Sequence, residues 1–174
     1  RSLVDTLTWL GGGPLTDEAR RETVGGNLAF SIGVLLREPG VEATAARVEE
    51  TAEHLLARAE ELFLLGLPWR PGAQELLASI HDAGIPTALV TNTGRRLTDL
   101  ALRTIGTRWF AATVCGDEVT HGKPAPDVYL RATGLLGVPA QECLAVEDSP
   151  TGAAAADASA PAATCLPTAG SSTN

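Results

Sequence analysis

Apolar residues between Thr16 and Leu67 recur at steps of three and four positions, which is the spacing of one face of an α-helix. The clearest example lies between Val41 and Gly66, where the regularly spaced apolar positions are Val48, Ala52, Leu55, Leu56, Ala59, Leu62 and Phe63. The alternation of apolar and polar residues that is typical of a strand does not interrupt this region. The pattern predicts a small helical unit that ends at Gly66-Leu67-Pro68.

A different pattern begins after Trp69, where short apolar runs alternate with helical stretches. The apolar runs predict buried strands at 85–90, 111–115 and 143–146, and a weaker last strand at 162–166. The intervening stretches predict helices at 71–83, 96–105 and 153–158, and a further helix that Pro124 and Pro126 open. Strands that alternate with helices imply an α/β fold with a parallel sheet and right-handed crossovers. Residues 170–174 are expected to fray.

Composition narrows the class of protein. The 13 basic and 21 acidic residues give a formal charge of −8, so a general nucleic-acid-binding or anionic-membrane surface is not expected. No apolar run approaches the ~18 residues of a transmembrane helix, and the first residues lack a signal-peptide pattern. Cys115, Cys143 and Cys165 lack metal-ligand spacing and are typical of a reducing compartment. We expect a cytoplasmic protein without nucleic acid or membrane as a partner.

Candidate chemistry lies where the predicted strands end, because ligands of parallel α/β sheets bind beyond the carboxyl ends of the strands. Thr91-Asn92-Thr93-Gly94 follows the first predicted strand and offers hydroxyls and backbone N–H groups to an anion. Lys123, the only lysine in the sequence, stands in a proline-stiffened turn after the second. Glu147-Asp148-Ser149 follows the third and offers the hard oxygen ligands that Mg²⁺ prefers.

Each of these three features also has a purely structural explanation. The segment 91–94 is compatible with a simple helix N-cap, Lys123 with a solvated turn, and Glu147-Asp148 with an acidic pair favoured by a helix dipole. Their occurrence after successive predicted strands favours the functional interpretation. Together they predict a site for a phosphate group and a divalent cation.

Three motifs resemble signature motifs of a known superfamily. Leu89-Val90-Thr91-Asn92, Gly122-Lys123-Pro124-x-Pro126-Asp127 and Val146-Glu147-Asp148-Ser149-Pro150-x-Gly152 are similar to the second, third and fourth motifs of haloacid dehalogenase-like hydrolases, with the β-phosphoglucomutase-like phosphatases as the nearest subgroup. The resemblance covers essentially the whole chain. It implies a three-layer α/β/α Rossmann-like parallel sheet with a small inserted helical cap. The α/β core would comprise 1–11 and 69–174, and the cap 12–68.

The resemblance also implies a role for each matching residue. Thr91 and Lys123 would be catalytic: Thr91, with the following amides at Asn92, would bind the transferring phosphoryl group, and Lys123 would offset its charge and orient the nucleophile. Asp148 would ligate Mg²⁺, with Glu147 as a second or water-mediated ligand. Asn27 would face the substrate from a loop of the cap.

The implied activity is that of a Mg²⁺-dependent phosphatase, a monomer that hydrolyses a small phosphomonoester such as a sugar phosphate through an aspartyl-phosphate. The family's nucleophile is the first Asp of Asp-x-Asp-Gly-Thr, and residues 1–6 resemble the segment just after that motif. Both aspartates are therefore expected upstream of Arg1, and residues 1–174 alone are expected to be inactive. Asp5 is expected to be a helix-start residue.

Two alternatives remain open at this point. Sugar-phosphate mutases of the family carry a His where this chain has Leu10 and a Lys in the cap, whereas the cap predicted here has no Lys and only one histidine, His54. These differences favour a phosphatase over a mutase. True loss of the first motif would instead leave a phosphate-binding relic without catalysis. Haloacid dehalogenation fits poorly, because adjacent acids suit phosphoryl transfer better.

Overall fold

The computed structural model of the protein describes residues 1–159 and the backbone of 162–165. The predicted frayed tail at 170–174 lies outside the described residues. In chain order, the helices and strands are α1 (Ser2–Trp9), α2 (Asp17–Thr23), α3 (Leu28–Arg37), α4 (Ala45–Leu64), α5 (Ala73–Asp82), β1 (Ala88–Val90), α6 (Arg95–Ile105), β2 (Ala112–Val114), α7 (Asp127–Leu136), β3 (Leu144–Glu147), α8 (Pro150–Ser159) and β4 (Ala162–Cys165). Short 3₁₀ turns lie at Thr107–Trp109, Gly116–Glu118 and Ala140–Glu142.

The chain forms two compact units. Unit 1 contains Arg1–Pro68 and Arg96–Ile105, and unit 2 contains Trp69–Arg95 and Gly106–Asn174. The cap at 12–68 and the core at 1–11 with 69–174 remain predictions about the domains.

Unit 1 is helical, as the spacing of its apolar residues predicts. Thr16, Asn27 and Thr44 start α2, α3 and α4, because the side-chain oxygen of each accepts a hydrogen bond from a backbone N–H of the first turn. Leucines from three helices form the core, with Leu7, Leu35 and Leu55 all at most 5% exposed. No helix of the described residues combines the length and apolar character needed to cross a bilayer.

Unit 2 contains the four strands near the predicted positions, with β3 shifted by one residue to 144–147 from the predicted 143–146. Strands β1 and β2 are parallel, with Ala88 opposite Ala112 and Val90 opposite Val114. Strands β3 and β4 are also parallel, with Leu144 opposite Ala162. Within the described ranges the strands thus form two separate pairs instead of one continuous sheet. The core of unit 2 consists of valines, small residues and a tyrosine: Val114, Val128, Tyr129, Ala132, Ala145, Ala155 and Ala156.

The prediction that β3 is buried on both faces is wrong for the described structure. Ala145 is buried, but Leu144 and Val146 are 64% and 50% exposed. Successive side chains of a strand point to opposite faces, and the face that carries Ala145 packs against the core of unit 2. No element of the part that the structure describes buries the other face.

Candidate active site

The loop after β1 is held in place by the Thr91 hydroxyl and backbone. The backbone N–H of Thr91 donates to the carbonyl of Val114 at 3.0 Å, which extends the pairing of β1 with β2 by one residue. The Thr91 hydroxyl accepts a hydrogen bond from the Thr93 N–H at 3.0 Å. This local bond closes the turn that follows β1, while binding of an anion by this loop remains a prediction.

Asn92 joins this loop to the segment that carries the lysine. Its side-chain Nδ2 donates to the carbonyl of Lys123 at 3.0 Å, and its Oδ1 accepts from the Lys123 N–H at 2.7 Å. The side chain therefore clamps the backbone of Lys123 on both sides. A contact of Asn92 with phosphate remains a prediction.

Two glycines permit this close approach. A Cβ at Gly116 would lie 2.5 Å from the carbonyl oxygen of Asn92, and a Cβ at Gly122 would lie 2.7 Å from its Oδ1. At Gly116 the obstacle is rigid backbone, so a larger residue would force the loops apart. At Gly122 it is the end of the Asn92 side chain, which would have to give up its bonds to Lys123. The Gly-Lys sequence at 122–123 is thus a packing requirement as well as a motif.

The Lys123 ammonium lies in the interior and forms an ion pair with Oε1 of Glu147. Its side chain is 6% exposed and that of Glu147 is 10% exposed. The ammonium also donates to the carbonyl of Val90 at 3.1 Å. Burial raises the pKa of the Glu147 carboxyl, but hydrogen bonds from Lys123 and Tyr129 outweigh it, so the net pKa is lowered and the carboxylate is charged.

Tyr129 completes this cluster, although the sequence pattern did not single it out as a site residue. Its hydroxyl donates to the same Oε1 of Glu147 at 2.5 Å, and its ring centroid lies 4.9 Å from Lys123 Nζ. Burial, followed by the hydrogen bond to Glu147 and by the negative charge of that residue, raises the pKa of the Tyr129 hydroxyl, which keeps it a donor. The sequence contained one signal of this role, because a tyrosine on the core side of a helix needs a hydrogen-bond partner for its hydroxyl.

The other oxygen of Glu147 is held by the start of α8. The Ser149 hydroxyl donates to Oε2 at 3.2 Å and accepts from the Gly152 N–H at 3.0 Å. A Cβ at Gly152 would overlap the Glu147 carboxylate. The motif Glu147-Asp148-Ser149-x-x-Gly152 thus encloses a carboxylate instead of leaving it in solvent.

Asp148 differs from its neighbour, because it follows β3 directly and is exposed. Mg²⁺ is commonly held by one or two carboxylates, with water and phosphate oxygens in the remaining positions. Asp148 fits such a role. The Glu147 oxygens already accept bonds from Lys123, Tyr129 and Ser149, so direct ligation by Glu147 would compete with these donors. Among the described residues, no group of three or more His, Cys, Asp or Glu side chains is arranged to hold a metal ion.

The remaining predicted residues lie in unit 1. The Asn27 side chain caps α3 by accepting from the Phe30 N–H at 2.9 Å, so substrate contact by Asn27 remains a prediction. Asp5 lies in the first turn of α1 and accepts from Arg58 Nε at 2.6 Å, which lowers the pKa of its carboxyl. An ion-paired carboxylate in a helix supports the structural role expected for Asp5. His54 stacks on Trp9, with ring centroids 4.3 Å apart, and bonds to the Thr6 hydroxyl.

Residues 15–159 match a protein family described as haloacid dehalogenase-like hydrolase. Among similar curated proteins, the plasmid protein CbbY of Cupriavidus necator is 40% identical over 126 residues, which cover 67% of this chain and 50% of that protein. Hexitol phosphatase A of Escherichia coli is 37% identical over 111 residues, which cover 64% of this chain and 50% of the relative. The chain spans about half the length of these curated relatives.

Solved structures agree with the sequence matches. CbbY from Rhodobacter sphaeroides, crystallised as a mutant in complex with xylulose-(1,5)bisphosphate, is 27% identical and superposes with a TM-score of 0.82. The superposition covers 96% of this chain and 77% of that chain. The structural neighbours therefore share the fold.

Proposed function

The chain belongs to the haloacid dehalogenase-like hydrolase family, within the group of CbbY, phosphoglycolate phosphatases and β-phosphoglucomutases, and on that premise we propose that the protein is a phosphatase of small phosphorylated metabolites such as sugar phosphates. The names of similar proteins, a hexitol phosphatase among them, support this substrate class.

One observation carries the proposal. The only lysine of an acidic chain is buried against the ends of β1 and β3, in an ion pair with Glu147, the residue before the exposed Asp148. A buried ammonium is costly unless it serves a structural or binding purpose. A phosphate dianion needs a local cation in a protein of net charge −8. Lys123 with Asp148 beside Glu147 supplies both a cation for phosphate and a ligand for a metal.

The proposed mechanism is phosphoryl transfer to a carboxylate. The nucleophile, which the family resemblance assigns upstream of Arg1, attacks phosphorus, and the ester P–O bond breaks as the acyl phosphate forms. The second aspartate of that motif would donate a proton to the departing oxygen, so that the substrate leaves as an alcohol. Lys123 and the backbone amides after Thr91 stabilise charge on the phosphoryl oxygens. Asp148, with Glu147 directly or through water, would hold Mg²⁺, which supplies further positive charge when bound. Water then hydrolyses the acyl phosphate and releases inorganic phosphate.

Substitution of Lys123 in the full-length protein tests this proposal. Lys123→Ala removes the cation that offsets phosphoryl charge, so we expect turnover of p-nitrophenyl phosphate to fall by about 10²–10³-fold or more. Arg131→Ala is the matched control: it removes an exposed cation whose guanidinium binds the Glu118 carbonyl, and it should leave turnover within about twofold. Near-normal turnover by a folded Lys123→Ala protein would contradict the proposal.

Product analysis separates hydrolysis from the mutase alternative. Incubation of the full-length protein with β-glucose 1-phosphate should release inorganic phosphate. Accumulation of glucose 6-phosphate instead would identify a mutase. The absence of a His at position 10 and of any lysine in 12–68 supports hydrolysis.

A further inference from the structure

The Lys123 ammonium has a defined remaining hydrogen-bonding capacity. Of its three N–H donors, one points to Glu147 and one to the carbonyl of Val90. Within the described part of the chain, these are the hydrogen bonds that the ammonium makes. One N–H is left for a phosphoryl oxygen, provided that the ammonium keeps this orientation.

The orientation depends on the Glu147 carboxylate. If that carboxylate interacted with Lys123 alone, it would neutralise the ammonium most fully and weaken its attraction for an anion. Oε1 is instead shared between Lys123 and the Tyr129 hydroxyl, and Oε2 accepts from Ser149. A second strong donor on the shared oxygen reduces the negative charge that Lys123 experiences and fixes the direction of the carboxylate.

The ring of Tyr129 acts on the ammonium directly. Tyr129 is 9% exposed, and its centroid lies 4.9 Å from Lys123 Nζ, within the range of a cation–π interaction. Helix α7 begins four residues after Lys123, and Val128 and Ala132 of the same helix are buried in the core of unit 2. The ring therefore has a rigid support and limits the movement of the ammonium on one side.

We propose that Tyr129 is a positioning residue of this site: its hydroxyl holds the Glu147 carboxylate and its ring confines the Lys123 ammonium, so that one N–H of Lys123 stays directed to a phosphoryl oxygen. The inference rests on the proposed phosphatase function. It assigns to Tyr129 no contact with the substrate and no proton transfer.

The Tyr129→Phe variant of the full-length protein tests the hydroxyl while it keeps the ring. A hydrogen bond to a charged group is lost, so we expect the kcat for p-nitrophenyl phosphate to fall about tenfold and the Kd for inorganic phosphate, measured by calorimetry, to rise about tenfold. Thr133→Val is the matched control, because it removes a hydroxyl of the same helix that donates to the Leu130 carbonyl and, among the residues that the structure describes, makes no hydrogen bond with Glu147 or Lys123. Both quantities should then stay within about twofold of the wild type.

A double-mutant cycle distinguishes positioning from a general structural role. The hydroxyl acts through the carboxylate, so Tyr129→Phe in a Glu147→Gln background should change the Kd for inorganic phosphate by less than about twofold. The inference would be overturned if Tyr129→Phe weakened phosphate binding equally in both backgrounds. It would also be overturned if Tyr129→Phe alone left kcat and Kd within twofold of the wild type.

If the wild-type protein neither hydrolyses p-nitrophenyl phosphate nor binds phosphate, the proposed function itself fails. If Lys123→Ala loses turnover but Tyr129→Phe does not, the proposed function stands and only the positioning role of Tyr129 is refuted.

Discussion

The two units of the chain differ in the residues that form their cores and in whether their ion pairs are buried. The core of unit 1 consists mainly of leucines, with Ala19, Ile32 and Val34, and its ion pairs, such as Arg37–Glu22 and Arg47–Glu50, lie at the surface. The core of unit 2 is built largely from alanine and valine, and beside it lies the interior ion pair Lys123–Glu147 with the Tyr129 hydroxyl. Small core residues let loops and helices approach closely enough to enclose charged groups.

The two kinds of ion pair are expected to contribute differently to the stability of the protein. Exposed ion pairs contribute about 0–1 kcal/mol, so unit 1 depends on its apolar contacts. An interior pair is costly to bury and adds little net stability when intact, but removal of one partner leaves an uncompensated charge. Unit 2 keeps such a pair at the ends of β1 and β3, where it is not expected to add much net stability.

The largest expected effect follows removal of one charge of the interior pair. Glu147→Leu keeps a similar volume but leaves the Lys123 ammonium, 6% exposed, without its carboxylate. We expect the free energy of unfolding, measured by urea denaturation, to fall by about 3–5 kcal/mol. The surface counterpart in unit 1, Glu50→Leu, breaks an exposed pair and should cost less than about 1 kcal/mol.

A double variant sharpens this test. Lys123→Met combined with Glu147→Leu removes both charges, so it should recover most of the stability lost in Glu147→Leu. If Glu147→Leu were no more destabilising than Glu50→Leu, the pair would not be buried in solution, and the contrast between the units would fail.

A somewhat smaller effect is expected in the core of unit 1. Leu35 is fully buried among leucines of α1 and α4, so Leu35→Ala creates a cavity and should lower the unfolding free energy by about 2–5 kcal/mol. Turnover per folded molecule should remain near the wild-type value. Leu64→Ala, at a position 67% exposed, is the matched control and should cost less than about 0.5 kcal/mol. Equal costs at the two positions would show that this core does not stabilise unit 1.

Local pattern predicted much of the fold and part of the candidate site. Helix α4 and the four strands follow from spacing and apolar runs, because those periods reflect the geometry of single elements. The contact between Lys123 and Glu147 follows from a rule about where parallel strands end. That rule needs only the order of elements along the chain.

Other features could not be predicted, because they depend on packing between elements. The Tyr129–Glu147 bond joins α7 to β3, and the sequence does not specify which side of α7 meets that strand. The exposure of Leu144 and Val146 depends on what covers one face of β3, which an apolar run does not reveal. The clamp of Asn92 on Lys123 needs the close approach permitted by Gly116 and Gly122.

The smallest expected effect concerns two helical glycines, one in the site and one outside it. At Gly152 an added Cβ would overlap the Glu147 carboxylate, which Lys123 and Tyr129 hold in place. We expect Gly152→Ala to lower the unfolding free energy by about 1–3 kcal/mol and to weaken binding of inorganic phosphate. Urea denaturation and calorimetry of the full-length protein measure the two effects.

Gly134→Ala in α7 isolates the cause, because an added Cβ there meets no atom within 4 Å. Alanine favours a helix over glycine by about 0.5–1 kcal/mol, so Gly134→Ala should stabilise the protein, and the same propensity gain is present at Gly152. If the unfolding free energy falls in Gly152→Ala but rises in Gly134→Ala, the difference reports the overlap with Glu147, because the gain in helix propensity is common to both. A stabilising Gly152→Ala that binds phosphate normally would mean that the carboxylate moves freely, and the fixed geometry assigned to Lys123 and Tyr129 would no longer hold.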